Sequence, residues 1–284
     1  MKRILLQLDT DSQASVFDQV VAYDAGVDHI ISLGGITPET VEAHVHGAMF
    51  TRGGEELKNT AIFVGGSQVE QGEAVFKKVK KTYFGPVRNA VMMDSNGSNT
   101  TSAAVVRRIA SSIDLKEKKA VVLAGTGPVG VRTATLLAKE GCQVGITSRS
   151  TEKAAKACKQ MKADGDVTVI PHGVTSVEEL TSLLQDADII VAAGGAGVVL
   201  LPQAVWENLS QVKVLADVNA VPPLGIEGSQ VMDKGEERDG KLFYGAIAIG
   251  NLKMKIHKRC IESLFESKDK VLDLQEIYEV AKGL

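Results

Sequence analysis

The sequence predicts an α/β fold in which two helix-covered parallel sheets follow one another along the chain. Three observations predict it. Short apolar runs alternate with helix-period segments from the N-terminus to about residue 245, the order that builds parallel sheets covered on both faces. In the middle, Lys119-Ala120-Val121-Val122-Leu123-Ala124 feeds directly into Gly125-Thr126-Gly127-Pro128-Val129-Gly130, and an alanine- and leucine-rich stretch follows. Strand, glycine turn and helix in that order make G-x-G-x-x-G a dinucleotide-binding motif and its host a Rossmann-type unit. Finally, 284 residues at 44% hydrophobic and 24% charged provide one large or two modest cores.

In the first part, strands are expected at 3–8, 29–32, 61–64 and 89–93, with helices near 16–23 and 71–80. A polar loop over 94–101 then leads into an amphipathic helix carrying Ala104, Val105, Ile109 and Ile113 on its apolar side. The nucleotide unit continues with strands at 143–147, 167–170, 188–193, 212–219 and 242–246. From about residue 251 the tail reads as helix, with Leu252, Ile256, Cys260, Leu264 and Phe265 at three- to four-residue spacing. The expected domains are a substrate domain at 1–115, a nucleotide domain at 116–250, and a helical segment at 251–284 packing back across the cleft to the first domain. Ligands in open α/β sheets bind beyond the carboxyl ends of the strands, so that cleft is the expected active site.

Each glycine of the turn has a task. Gly125 turns the chain off the strand, Gly127 lets a pyrophosphate approach the backbone, and Gly130 lets helix and strand pack closely. Thr126, Pro128 and Val129 complete the turn, whose helix end offers unpaired N–H groups to phosphate. At the next strand end an NAD-selective site would carry Asp or Glu; this chain has Ser148-Arg149-Ser150, with Lys153 one turn on. A guanidinium pairs with a 2′-phosphate that a carboxylate would repel, so NADP is the expected cofactor. Ala193 and Gly194 join the expected cofactor set. Asn219 reads either as a nicotinamide contact or as a turn former before Pro222-Pro223.

Composition excludes several classes. A formal charge of −3, with one short basic group at Lys77, Lys78, Lys80 and Lys81, gives no nucleic-acid footprint. No apolar run approaches the roughly 20 residues needed to span a bilayer, and the N-terminus reads as a first strand, so a cytoplasmic protein is expected. Cys142, Cys158 and Cys260 lie far apart, and His44 and His46, in a strand-like segment, lack nearby ligands; no metal site is expected. Trp206 reads as core or interface.

Long segments along the whole chain carry a resemblance. They include Gln7-Leu8-Asp9-Thr10-Asp11, Ser15-Val16-Phe17-Asp18, Thr51-Arg52-Gly53-Gly54, Asp94-Ser95-Asn96-Gly97-Ser98-Asn99-Thr100-Thr101, the glycine turn, Pro222-Pro223-Leu224-Gly225-Ile226 and Leu252-Lys253. With these the chain resembles the NADP-dependent methylene-tetrahydromethanopterin dehydrogenases of methylotrophic bacteria. The resemblance implies hydride transfer from the methylene bridge of a reduced pterin to NADP, Lys253 as the active-site lysine, and a homo-oligomer.

Other residues are read from their own positions. Ser15 and Asp18 have the spacing of a capping box, and Phe17 offers either core packing or an aromatic face to the pterin. Asn99, Thr100 and Thr101 offer groups to the pterin edge, cap the next helix, or do both. His257 shares a helix face with Lys253 and joins the substrate set. Methylene-tetrahydrofolate dehydrogenase is the neighbouring alternative. A shikimate-type or hydroxy-acid dehydrogenase would need a proton-moving pair, for which Lys253 with Asp94 is the candidate, and an NADP sensor would lack the pterin pocket.

Overall fold

The computed structural model describes residues 1–284. In chain order the elements are β1 (Ile4–Asp9), α1 (Val16–Asp24), β2 (His29–Leu33), α2 (Val41–Met49), β3 (Thr60–Gly65), α3 (Val69–Thr82), β4 (Ala90–Met93) and α4 (Ser98–Ala110). There follow β5 (Lys119–Leu123), α5 (Pro128–Lys139), β6 (Gln143–Ser148), α6 (Thr151–Gly165), β7 (Val169–Gly173), α7 (Val177–Leu184), β8 (Ile189–Ala192), α8 (Gln203–Trp206) and β9 (Val214–Asp217). Last come β10 (Lys234–Arg238), β11 (Lys241–Tyr244), α9 (Ala246–Leu264), β12 (Val271–Leu272) and α10 (Leu274–Lys282). The chain divides into two compact units, Met1–Thr100 with Met254–Leu284, and Thr101–Lys253. It crosses between them inside α4 and inside α9. No helix is long and apolar enough to cross a membrane.

The first unit holds a five-stranded sheet in the order β12-β4-β3-β1-β2, and all its pairs are parallel. The chain moves from β1 to β2 on one side and then to β3 on the other, so β1 and β3 flank a topological switch point. One core cluster joins Leu6, Leu8, Ile62, Val64, Val91 and Met93 of the strands to Val41, Val45 and Met49 of α2 and Val75, Phe76 and Val79 of α3. His44 and His46 therefore lie in a helix, not a strand, and His46 stacks on Phe84 with ring centroids 5.6 Å apart. The tail is not one helix: α9 ends at Leu264, β12 pairs with β4, and an Asp273–Glu276 capping box starts α10. A two-residue strand has no periodicity, so the sequence gives no sign of it.

The second unit holds seven strands in the order β10-β11-β9-β8-β5-β6-β7. Six are parallel and β10 is antiparallel. Its core cluster includes Val121, Leu123, Ile190, Leu215, Phe243 and Trp206. Trp206 is the core residue the sequence suggested, its Nε1–H donating to the Glu227 carbonyl at 2.8 Å. The strand expected over 242–246 stops at Tyr244, because the Gly245 N–H pairs with the Asp233 carbonyl and Ala246 already opens α9.

Candidate functional site

In the second unit the switch point lies between β5 and β8, and the glycine turn leaves β5 there. The sharp turn is made one residue earlier than expected: Ala124, not Gly125, has the positive φ, 51°. Thr147 holds it, its hydroxyl accepting from the Ala124 N–H and its carbonyl from the Gly125 N–H, each at 3.0 Å. Gly125 is needed for space, since a Cβ there would lie 2.8 Å from both the Val122 carbonyl oxygen and Ile146 Cβ. At Gly130 a Cβ would meet Gly125 Cα at 2.7 Å, whereas at Gly127 it would meet nothing within 4 Å. The middle glycine thus faces open space at the start of α5. Gly127 is the N-cap of that helix and provides no side-chain cap, and Pro128 supplies the first turn without an N–H.

Past β6, Arg149 and Lys153 are exposed. Ser150 caps α6, accepting from the Lys153 N–H at 3.2 Å and donating to Glu152 at 2.7 Å, and its N–H bonds the Ser148 hydroxyl at 3.3 Å. Past β8, the Ala193 N–H pairs with the Leu123 carbonyl at 3.1 Å, and a Cβ on Gly194 would lie 2.7 Å from Leu200. Past β9, the buried Asp217 accepts from the N–H groups of Asn219 and Ile226, each at 2.9 Å. Burial pushes its carboxyl up from the usual range while those N–H groups pull it back. Of the two readings of Asn219, the turn is the one the hydrogen bonds realise. Its amide donates to the Val221 and Pro223 carbonyls and accepts from the Val221 N–H.

In the first unit the loops after β1, β3 and β4 gather around the β1/β3 switch point. Asp9, buried at the end of β1, accepts from Asp11 N–H at 2.9 Å and Ser15 N–H at 3.0 Å. Asp11 reaches across to the β3 loop, taking the Ser67 N–H and hydroxyl at 2.9 Å. Ser15 caps α1 by accepting from Asp18 N–H, but its own N–H goes to Asp9, so the Ser15–Asp18 box is only half formed. Phe17 is 49% exposed, which rules out the core role. His257 is completely buried, lying between Phe63 (5.6 Å, stacked) and Phe17 (6.2 Å, tilted), with Asp18 Oδ1 3.8 Å from its Nε2.

Residues 98–101 are helix, not loop. Asp94 accepts from the Asn99 and Thr100 N–H groups at 2.9 and 3.0 Å and from the Thr100 hydroxyl at 2.6 Å. The Asn99 amide donates to the Met93 carbonyl at 2.8 Å. Asn99 and Thr100 are fully buried in these bonds, which fix the start of α4.

Comparison with known proteins places the chain. A profile described as methylene-tetrahydromethanopterin dehydrogenase, N-terminal, matches residues 16–96, and one described as shikimate/quinate 5-dehydrogenase matches residues 105–226. The "Bifunctional protein MdtA" of Methylorubrum extorquens is 49% identical, over 100% of this chain and 99% of its own. The "NAD(P)-dependent methylenetetrahydromethanopterin dehydrogenase" of the same organism is 31% identical, over 99% and 98%.

The chain belongs to the methylenetetrahydromethanopterin dehydrogenase family.

The Trypanosoma brucei methylenetetrahydrofolate dehydrogenase-cyclohydrolase shares the fold, with a TM-score of 0.52, 16% identity, and coverage of 93% of this chain and 86% of that one. Within the family's architecture, the proton-moving pair proposed for a shikimate-type reaction loses its acid, because both Asp94 oxygens hold the start of α4. His257, expected among the substrate contacts, is fully buried beside Phe17 and Asp18. The sequence marks the segments that hold Asp9, Asp11 and Ala124 but assigns those residues no role of their own. The first two were legible only as an Asp-x-Asp after a strand, and Ala124 carried no signal.

Proposed function

We propose that this chain oxidises methylene-tetrahydromethanopterin to the methenyl form with NADP as hydride acceptor. The full-length relationship to a named dehydrogenase of that substrate carries this reading, and the residues fit the cofactor. The open space over Gly127 and the uncapped start of α5 suit a pyrophosphate, and the exposed Arg149 suits a 2′-phosphate. When bound, NADP supplies the hydride-accepting nicotinamide.

The chain's own part is placement. Loss of hydride from the methylene bridge leaves a cation shared by two nitrogens, so no proton moves in that step and no general base is required. Lys253, half-buried on α9, orients the pterin and removes no proton. Phe17 offers its face to the flat ring. Thr101, in the first turns of α4, contributes a hydroxyl. Asn99 and Thr100 act beneath it by fixing the helix start.

The test is an absorbance assay of nicotinamide reduction with methylene-tetrahydromethanopterin and methylene-tetrahydrofolate in parallel, each with NADP and NAD. Turnover of the methanopterin carrier with NADP is expected. No reduction with that pair overturns the proposal.

A further inference from the structure

The glycine turn of the second unit takes its shape from a residue outside the motif. Just before β5 the Lys118 carbonyl accepts from the Gln143 N–H at 2.8 Å, and within it Val122 stands opposite Ile146. The Leu123 carbonyl instead accepts from Ala193, on the β8 side. Even-numbered residues of β5 therefore bond toward β6, and a continued parallel ladder would give the Ala124 N–H to the Thr147 carbonyl. The hydroxyl of Thr147 takes that N–H in its place, which leaves the carbonyl for the Gly125 N–H, each at 3.0 Å. Two successive N–H groups end on one residue, and the strand stops there. This step holds Ala124 at a φ of 51°, a region that alanine enters at a cost and glycine enters freely. It also seats Gly125 against Val122 and Ile146, where Gly130 closes on it, and so fixes where α5 begins. Thr147 is buried, so an apolar side chain of the same shape would deprive the Ala124 N–H of this acceptor.

We propose that Thr147 is a positioning residue for the dinucleotide: by clamping Ala124, its hydroxyl aims the start of α5 at the cofactor's pyrophosphate. The inference rests on the nucleotide half of the proposed function. The pyrophosphate is common to NADP and NAD, so Thr147 governs both alike, whereas Arg149 reads only the 2′-phosphate. Thr147→Val keeps the shape of the side chain and removes the acceptor. Thr147→Ser keeps the hydroxyl.

The experiment is calorimetric titration of NADP and of NAD into wild type, Thr147→Val and Thr147→Ser, each well below its thermal midpoint. Thr147→Val is expected to weaken both nucleotides by about tenfold with binding stoichiometry unchanged, and Thr147→Ser to bind them as wild type does. Unchanged affinity in Thr147→Val overturns the inference. So does a loss confined to NADP, or a Thr147→Ser variant as weak as Thr147→Val. Should Thr147→Val not fold, the double variant Ala124→Gly/Thr147→Val decides, because glycine takes the positive φ without the clamp. Its affinity for both nucleotides is expected within roughly threefold of wild type, and a loss of about tenfold or more overturns the inference. A wild type that binds neither nucleotide removes the cofactor reading and the inference together. One that binds them and fails to oxidise the methylene substrate removes the function alone.

Discussion

Arg149 stands exposed one residue past β6, with its neighbour Ser150 tied to Lys153 N–H and Glu152. A guanidinium so placed contributes about 1.5–3 kcal/mol through charge-assisted bonds to a phosphate. Arg149→Ala is therefore expected to raise KM for NADP by roughly ten- to a hundredfold and leave KM for NAD near its wild-type value. Equal losses for both nucleotides in parallel assays remove Arg149 as the phosphate reader. Lys253→Ala is expected to cut turnover on the order of 100-fold through lost alignment, with no recovery on adding small amines. Amine rescue would instead show that a proton acceptor had been removed. Both residues are singled out by the sequence, Arg149 by the strand-end rule and Lys253 by resemblance. The burial of His257 was not legible, because Phe63, which stacks on it, lies on β3 and is distant in sequence. Spacing on one helix says which residues share a face, not what covers that face.

At the scale of the element, the three glycines separate stability from binding. Gly125→Ala and Gly130→Ala push a methyl against fixed backbone within 2.8 Å and should each cost about 1–3 kcal/mol by overpacking, visible as a lower thermal midpoint. Gly127→Ala has open space; it should melt like wild type yet bind NADP more weakly in a calorimetric titration. Equal melting losses at all three positions would contradict this division. The motif was legible because spacing alone defines it. The positive φ at Ala124 was not, because it is imposed by Thr147 on the neighbouring strand. The same holds at α4, whose start the sequence put near residue 102. Ser98, Asn99 and Thr100 look like loop residues, and only Asp94, accepting from two backbone N–H groups, makes them the first turn of a helix.

Across the whole molecule, the first unit is assembled from both ends of the chain. The alternation of strands and helices revealed both sheets, and the tail's helical period revealed α9. The closing strand stayed hidden, because Val271 and Leu272 acquire their role only by pairing with Val91 and Met92. The α10 that follows buries Ile277, Tyr278 and Ala281. Ending the chain after Glu266 is therefore expected to lower the stability of the first unit by several kcal/mol, about 1.5–3 kcal/mol for each large buried side chain lost. Calorimetry should show an early transition for that unit while NADP binding persists, and an unchanged melting profile would contradict the role of β12. The split also orders events during synthesis. Residues 101–253 emerge as one uninterrupted run, so the nucleotide unit has every strand of its sheet before β12 has left the ribosome. The part made first is the part finished last. Until Val271 arrives, the β4 edge is an unpaired row of N–H and carbonyl groups in a nascent chain, open to pairing with strangers. Slowing translation late in the message should lengthen that exposure and raise aggregation without altering a single residue.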